Sequence, residues 1–286
     1  LKVSSGAVSH QVRALEDAMG MTLIVRGSRP LKLTSQGALL LPVATTAFKD
    51  IAAVTQRLVR PCMQGRLTVA CVPGLLSFWL MPRLSRFTSQ YPDVSVTMIP
   101  SNDDRNLGDA GIDICILYGD GTWPDCWVQL WSHLEFFPVA SPTLLSTRPL
   151  RSPRDLQDHV ILHGDSGCEW KAWLAAAGVS DHLASAQHYF SDARLSTEAA
   201  LSGAGVAIGD SVTARDFVGR GDLVVPFNLA APAAHAFYLA GRNEARDTPI
   251  VKVFVDWMLA ALREDAPIQP RAVGWRRMIR LATVRG

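Results

Sequence analysis

The side chains best suited to contact nucleic acid lie close to the N-terminus. They are two small hydroxyls, a glycine, an imidazole and a guanidinium, at Ser5, Ser9, Gly6, His10 and Arg13. Groups of these types can hydrogen-bond to base edges in a major groove and to phosphates. A surface helix of an ordinary bundle could carry the same residues, so on these side chains alone both interpretations stay open.

A second set of polar residues follows apolar runs later in the chain. Its members are Gly74, Ser77, Ser101, Tyr118, His163, Asp165, Ser191 and Asp192. Small polar side chains and free backbone amides in such loops can hold a carboxylate-bearing metabolite. Each residue taken singly is also compatible with an ordinary turn, but their recurrence at successive strand ends favours a ligand site.

The residues that could perform catalysis do not form a complete site. Residues 164–168 read GDSGC, which is similar to the motif around the catalytic serine of chymotrypsin-like peptidases. Residues 169–177, however, have a helical pattern, which the β-barrels of those peptidases would not place there. His159 and His163 are four apart, with no acidic or thiol residue to complete a metal site. No phosphate-binding or dinucleotide-binding glycine loop is complete. We therefore predict a protein that is not an enzyme, with no metal and no cofactor.

The nucleic-acid candidates need a helix to position them, and the sequence provides its signals. Ser4 is a plausible N-cap and Gly20 a plausible stop. Between them, apolar residues spaced by 4, 3 and 4 make one helix face, at Val8, Val12, Leu15 and Met19.

A small basic hairpin follows this helix. Residues 23–25 and 31–34 have the pattern of two short strands, and the turn between them contains Arg26 and Arg29. This is the layout of a winged helix-turn-helix whose hairpin reaches phosphates. Thr34 can then cap a long helix with apolar residues at heptad spacing: Leu40, Ala44, Ala47, Ile51, Val54 and Leu58. That seam favours a dimerisation helix over a core-facing amphipathic one.

Charge is distributed unevenly along the 286 residues. Residues 1–62 hold eight basic and three acidic residues, and residues 266–286 hold five arginines and no acid. Residues 63–265 hold fifteen basic and twenty-three acidic residues. Basic ends on an acidic body predict that the ends meet a polyanion. No window has the pattern of a membrane span or an export leader, and five scattered cysteines predict reduced thiols rather than disulfides.

The acidic body alternates strands with helices. Residues 67–71, 94–99 and 113–117 are predicted strands, and residues 78–91 are a predicted helix. This alternation predicts an α/β fold with parallel strands and ligands at their carboxyl ends.

Several motifs in order resemble the LysR-type transcriptional regulators, and Ser9-His10 resembles the subgroup of the glycine-cleavage-system activator. The motifs are AVSHQVRALEDAMG at 7–20, LIVRGSRPLKLTSQGALLLP at 23–42, WLMPRLSRFTSQYPDVSV at 79–96, ICILYGDGTWPDC at 114–126, STEAALSGAGVAIGD at 196–210, GRGDLVVPFN at 219–228 and AFYLAG at 236–241. In the family pattern, one helix and most of a second precede the position of Leu1. We therefore expect a partial helix-turn-helix that binds DNA weakly as numbered.

The resemblance implies four segments. These are a partial winged helix-turn-helix at 1–34, a linker and dimerisation helix at 35–62, an effector-binding domain at 65–265 and a basic tail at 266–286. The effector domain is expected to resemble periplasmic binding proteins. Its first lobe would comprise about 66–140 and 242–265 and its second lobe about 141–241, joined by crossing strands near 139–142 and 236–241.

Two positions depart from the subgroup pattern. Gly74 stands where a hydroxyl is common, and Leu117 where arginine often precedes the Tyr-Gly pair. Without that arginine an anion partner is lost, which predicts an effector less acidic than usual, or none.

The predicted function is a cytoplasmic transcriptional regulator that binds double-stranded DNA and a small-molecule effector and self-associates as a dimer or tetramer, away from membranes. The alternative is a free-standing two-lobed solute-binding protein without DNA-binding activity. The absence of a leader and the presence of the wing and heptad helix count against that alternative.

Overall fold

The computed structural model describes residues 5–25, 31–59, 63–165, 167–179 and 186–265; the side chains of Ser5 and residues 49–59 are outside this description. Ser4, the hairpin residues Arg26 and Arg29, and the basic tail 266–286 also lie outside the described residues. The chain divides into two compact units, residues 1–62 and 63–286.

The first unit contains the predicted helix, hairpin and long helix. Its elements are α1 (Ser5–Met19), β1 (Ile24–Val25), β2 (Lys32–Leu33) and α2 (Ser35–Val59). At the end of α1, Gly20 has a φ of 65° and donates to Asp17, and Met21 donates to Glu16. This is the Schellman pattern, so Gly20 ends α1 as predicted.

Four hydrogen bonds and one close approach join the hairpin and its flanking residues to the two helices. The carboxylate of Glu16, which is buried, accepts hydrogen bonds from the amides of Leu23 (2.7 Å) and Ile24 (3.1 Å). The hydroxyl of Thr34 donates to the carbonyl of Thr22 at 2.8 Å and accepts from the amide of Gly37 at 3.0 Å, which confirms it as the cap of α2. A Cβ at Gly37 would lie 2.1 Å from the carbonyl oxygen of Leu23, so only glycine allows this approach.

The apolar faces of both helices are largely uncovered in this unit. On α1, the side chain of Val8 is 52% exposed and that of Leu15 is 46% exposed. On α2, Leu41 is 54% exposed and Phe48 is 72% exposed. The predicted seam is described only at Leu40, Ala44 and Ala47; its other members lie outside the described side chains.

The second unit is built on an eight-stranded sheet. Its strands are β3 (Gly65–Cys71), β4 (Val94–Pro100), β5 (Ile114–Gly119), β6 (Cys126–Val139), β7 (Ile161–His163), β8 (Gln187–Tyr189), β9 (Val206–Asp210) and β10 (Ala231–Arg242). Its helices are α3 (Pro73–Leu75), α4 (Met81–Gln90), α5 (Pro142–Thr147), α6 (Cys168–Ala177), α7 (Ala193–Leu201), α8 (Arg215–Arg220) and α9 (Pro249–Glu264). Shorter turns of helix occupy Leu76–Leu80, Asp104–Gly108 and Pro153–Asp158.

The strand order is β4-β3-β5-β10-β6-β9-β7-β8. Pairing is parallel among β3, β4 and β5 and among β7, β8 and β9, and antiparallel where β10 and β6 meet their neighbours. The predicted α/β class is confirmed. The predicted helix at 78–91 is helical from Pro73 onwards, with a π turn at Leu76–Leu80 between α3 and α4.

Separate cores stabilise the two halves of this sheet. One core packs α4 and α9 on β3 and β5 around Trp79, Phe87 and Phe254. A second core lies around Phe136, Trp170 and Trp173. We call these halves the first and second lobes, which agrees with the two-lobed architecture predicted from the sequence.

The lobes are joined by β6 and β10. Residues 126–136 of β6 pair with β10, and residues 136–139 pair with β9. The first crossing strand is β6, which ends at Val139, where the predicted crossing near 139–142 begins, and Pro138 lies within it opposite Ile208. The register of β10 on β6 shifts between Pro232 and Ala236.

A cluster of charges also connects the lobes. The guanidinium of Arg83, on α4, donates to both carboxylate oxygens of Asp216, on α8, at 3.0 and 3.2 Å. It also donates to Asp265 at 3.0 Å, and the indole nitrogen of Trp79 donates to the same carboxylate at 2.6 Å. The rings of Phe78 and Phe217 meet edge to face nearby, with centroids 5.0 Å apart. None of the helices in the described residues is long and apolar enough to cross a membrane.

Candidate functional site

A cavity of about 490 Å³ lies between the two lobes, at the carboxyl ends of the strands. This volume is within the range of small-molecule sites. Much of its wall is apolar and is formed by Val72, Leu75, Phe78, Leu134, Phe136 and Phe237. The crossing strands contribute Phe136 from β6 and Ala234, His235 and Phe237 from β10. A ligand in this cavity would contact both lobes and the strands that join them.

Tyr118 brings a phenol to this wall from the end of β5. Its ring contacts those of His235, Phe237 and Phe136, with centroid distances of 5.5, 5.8 and 6.5 Å. Burial, and to a smaller extent the charge of Glu169, raise the pKa of Tyr118 to about 12. The hydroxyl therefore keeps its proton at neutral pH and can donate or accept a hydrogen bond.

Two carboxylates of the cavity bind backbone amides at the starts of helices. Asp165 accepts from the amides of Gly167 at 2.7 Å and Glu169 at 3.1 Å, at the start of α6. Asp192 accepts from the amides of Arg194 at 2.8 Å and Leu195 at 3.3 Å, at the start of α7. Asp192 is the N-cap of α7, whereas Asp165 precedes Gly167, the N-cap of α6, and still binds one amide of the first turn.

Asp210 is a third carboxylate, at the end of β9. It is buried and accepts from the amides of Val212 and Thr213, each at 2.8 Å, and from the hydroxyl of Thr213. Burial raises the pKa of Asp210, and these hydrogen bonds oppose the rise.

Glu169 is the fourth carboxylate, in the first turn of α6. Among the described residues no hydrogen bond or ion pair holds its side chain. Burial raises its pKa to about 8, and the charges of Asp165 and Asp210 act in the same direction. Glu169 therefore carries a proton that a neighbouring cation could displace.

The structure brings together half of the ligand residues predicted from the sequence. Gly74, Tyr118, Asp165 and Asp192 line the cavity, whereas Ser77, Ser101, His163 and Ser191 do not. The hydroxyl of Ser101 accepts from the amide of Asp103 and the side-chain nitrogen of Asn106 within its own loop.

His163 is held away from the cavity by two contacts. Its Nε2 lies 3.0 Å from Oε1 of Gln187, and its ring stacks on Tyr189 at 4.2 Å. Burial lowers the pKa of His163. The local pattern of a polar residue after a strand could not reveal this, because Gln187 and Tyr189 come from a distant strand.

Other lining residues were missed at the sequence level. They are Asn102, Glu169, Asp210, Thr213 and His235 together with the apolar wall. Asn102 follows the predicted strand 94–99, so the expectation of ligand residues at strand ends could have found it. Glu169 and His235 had no such signal, since one lies in a helix and the other within a long strand.

The DNA candidates of the first unit share one side of α1. At about 100° per residue, Gly6, Ser9, His10 and Arg13 fall within one arc, opposite the face that carries Val8 and Leu15. All four are exposed. Their arrangement therefore leaves a polar and basic surface that can lie against a nucleic acid groove.

Two family models match this chain. A bacterial regulatory helix-turn-helix protein of the lysR family matches residues 1–38, and a LysR substrate binding domain matches residues 63–263. The glycine cleavage system transcriptional activator of Escherichia coli K12 is 34% identical over 263 residues, 91% of this chain and 86% of the relative. The transcriptional activator AmpR of Providencia stuartii is 32% identical over 92% of this chain and 89% of its own length.

Solved structures give the same picture. The AmpR effector binding domain from Citrobacter freundii matches with a TM-score of 0.62 and 25% identity, over 71% of this chain and all of that one. CrgA, a LysR-type transcriptional regulator from Neisseria meningitidis, matches with a TM-score of 0.59 and 22% identity, over 91% of this chain and 90% of its own. At that identity the second likeness concerns the fold alone.

Proposed function

The chain belongs to the LysR family of bacterial transcriptional regulators, and from this membership we propose which of its residues perform each part of the regulation. Proteins of this family bind DNA and a small-molecule effector and form oligomers, and they are not enzymes. A free-standing solute-binding protein is disfavoured, because residues 1–38 match a regulatory helix-turn-helix.

For DNA contact, the proposal assigns Ser5, Gly6, Ser9, His10 and Arg13 on α1 to base edges and phosphates, and Arg26 and Arg29 in the hairpin to phosphates. The shared exposed side of α1 supports the first assignment, as does the buried Glu16 that fixes the hairpin on α1. The hairpin residues themselves lie outside the described part of the chain. Because the protein works on DNA, we place it in the cytoplasm.

For effector binding, the proposal assigns the cavity between the lobes. The observation that carries it is an apolar chamber with converging polar groups, where the wall includes the two strands that join the lobes. A ligand held there by Tyr118, Asp165, Glu169 and Asp192 would favour one relative position of the lobes over another. Ser77, Ser101, His163 and Ser191 have no such placement to support them as ligand contacts.

Filling the cavity tests this assignment. Ala172 lies on α6 in the lining, whereas Ala175, on the same helix, is exposed. We expect Ala172→Phe to abolish the response of a reporter fused to the protein's own promoter, across a panel of carbon and nitrogen sources. Ala175→Phe should respond as the wild type does, and a gel shift should show DNA binding by both variants. A full response by Ala172→Phe would contradict the assignment of the cavity.

A further inference from the structure

The cavity has an unusual charge for a site that a metabolite anion would occupy. Its lining contains the four carboxylates Asp165, Glu169, Asp192 and Asp210, and among the described residues no lysine or arginine lines it. His235 is the one described lining side chain that can take up a positive charge. A ligand with a free carboxylate would meet like charges without a matching partner, which is unfavourable in an enclosed site.

Several backbone amides that could bind an anion at the cavity are already engaged by these carboxylates. Helix N-termini often bind anions through free amides, and both α6 and α7 begin at the cavity. Asp165 already binds the amide of Glu169 in α6, and Asp192 binds those of Arg194 and Leu195 in α7. The start of α3 contributes Pro73, which has no amide hydrogen.

The side chain of Glu169 has no positively charged partner among the described residues. Its carboxylate lies at the cavity with no hydrogen bond or ion pair from any described residue, next to the charges of Asp165 and Asp210. A half-buried carboxylate in such surroundings is stabilised in its ionised form by a cation at hydrogen-bonding distance. The charge of a ligand that completes this site is therefore positive.

The remaining wall defines the rest of the ligand. Phe78, Leu134, Phe136 and Phe237 form an apolar surface, and the volume of about 490 Å³ suits a compact organic molecule better than a bare ion. Their rings offer faces and edges to an aromatic or branched aliphatic group. Tyr118 and His235 can hydrogen-bond to a polar substituent.

We infer that the effector is an organic amine without a free carboxylate, whose ammonium group pairs with Glu169 and whose aromatic or branched aliphatic body lies on the apolar wall. This inference rests on the proposed effector role of the cavity and names the chemical class that the cavity selects. It agrees with the loss of an arginine at Leu117, which had predicted an effector less acidic than usual.

Matched probes that differ only in the head group test the inference. Calorimetry on the full chain would compare 2-phenylethylamine, 2-phenylethanol and 3-phenylpropanoate, and then isopentylamine with its alcohol and carboxylate counterparts. We expect each amine to bind about tenfold more tightly than the alcohol of the same body, since a charge-assisted hydrogen bond adds to the same apolar contact. The carboxylates should bind more weakly than the alcohols.

Glu169→Gln retains the shape but cannot become negatively charged when a cation binds. We expect it to weaken amine binding about tenfold and to leave alcohol binding unchanged. Glu264→Gln, at an exposed ion pair with Arg86 far along the sequence, is the matched control and should bind as the wild type does.

Proton release provides an independent readout. Because Glu169 holds a proton at pH 7, pairing with an ammonium should expel it, and the measured enthalpy should differ between phosphate and Tris buffers. Asp165, Asp192, Asp210, Tyr118 and His235 also face the cavity, so the wild type must be compared with Glu169→Gln. The variant should lose most of the buffer dependence.

Three outcomes would overturn the inference. They are carboxylate probes binding as tightly as the amines, amine affinity unaffected by Glu169→Gln, and no amine binding at millimolar concentration. Binding of the alcohols or carboxylates in the cavity would still support its effector role, which the Ala172→Phe experiment tests separately. A cavity that fails both experiments would contradict the effector role as well.

Discussion

At the scale of the residue, Glu169 shows how burial changes the chemistry of a carboxyl group. It begins a helix, where a negative charge is normally favourable. Here the carboxyl is enclosed beside two further carboxylates, and burial raises its pKa to about 8. Desolvation and like charges thus outweigh the helix dipole. The folded protein retains a proton that the unfolded chain loses near the ordinary pKa of 4.5.

This difference predicts a pH-dependent effect on stability. Because the folded pKa is raised, the favourable contribution is complete below about pH 4.5 and is lost as pH rises towards 8. Between about pH 5.5 and 8, we expect the wild type to lose on the order of 2 to 3 kcal/mol of unfolding free energy relative to Glu169→Gln. Denaturant unfolding of both proteins at several pH values measures this loss.

Glu264→Gln is the control for that series, since Glu264 is exposed in its pair with Arg86. Its unfolding free energy should follow the wild-type curve at every pH. A constant difference between wild type and Glu169→Gln across the range would show that Glu169 titrates near its ordinary pKa.

At the scale of the element, α2 has more apolar surface than its predicted seam required. Leu41 and Phe48, seven residues apart, are both strongly exposed and flank the seam at Leu40, Ala44 and Ala47. Exposed apolar patches of this kind mark association surfaces in soluble proteins. The apolar stripe is therefore broader than the narrow seam of a two-stranded coiled coil.

Charges on this stripe should disrupt self-association. We expect Leu41→Asp combined with Phe48→Asp to shift the protein from a dimer or larger oligomer towards monomer, measured by light scattering over a dilution series. Ala38→Glu is the control, because Ala38 is exposed on the side of α2 away from the seam. A wild-type protein that is monomeric at all concentrations would contradict the role given to α2.

Local signals explain why these elements could be predicted. Gly20, Thr34 and the alternating residues of the hairpin act on their near neighbours, and the structure confirms each of them. The hydrogen bonds between elements had no such local signal in the sequence. Glu16 holds the amides of Leu23 and Ile24, and nothing in the local sequence distinguishes it from an exposed glutamate.

At the scale of the whole molecule, charge separates the two tasks of the protein. The basic residues of 1–62 and the acidic excess of 63–265 keep attraction for DNA in the first unit. Within the first unit, contacts to bases and to phosphates should respond differently to salt, because only phosphate neutralisation releases counterions.

Substitutions in the first unit should separate these contributions. We expect His10→Ala and Arg13→Ala each to lower affinity for the protein's own promoter by about 1 to 3 kcal/mol. Arg26→Ala should weaken binding to all sequences and reduce the slope of log affinity against log salt by about 1. Gel-shift titrations at two salt concentrations measure both effects.

Arg154→Ala, an exposed arginine of the second unit, provides the control and should leave affinity and slope unchanged. If Arg13→Ala kept the full preference for the promoter over unrelated DNA, Arg13 would not read bases.

The sequence predicted the ligand site only in part, because local patterns locate strand ends but not the contacts that form when the chain folds. The strand-end rule correctly placed Gly74, Tyr118, Asp165 and Asp192 at the cavity. It could not place Glu169, which lies in the first turn of a helix and not at the end of a strand. It also could not predict that the hydroxyl of Ser101 would accept hydrogen bonds from Asp103 and Asn106 in the same loop.

The paired strands β6 and β10 have a mechanical consequence. Strands that share a long hydrogen-bonded register resist sliding past each other but can twist, so we expect relative motion of the lobes to be a rotation about this pair. The register is interrupted between Pro232 and Ala236, where Ala234 and His235 line the cavity, and again between Phe237 and Tyr238. A ligand there contacts the joint between the lobes directly, and the ion pair of Arg83 with Asp216 also links the two lobes.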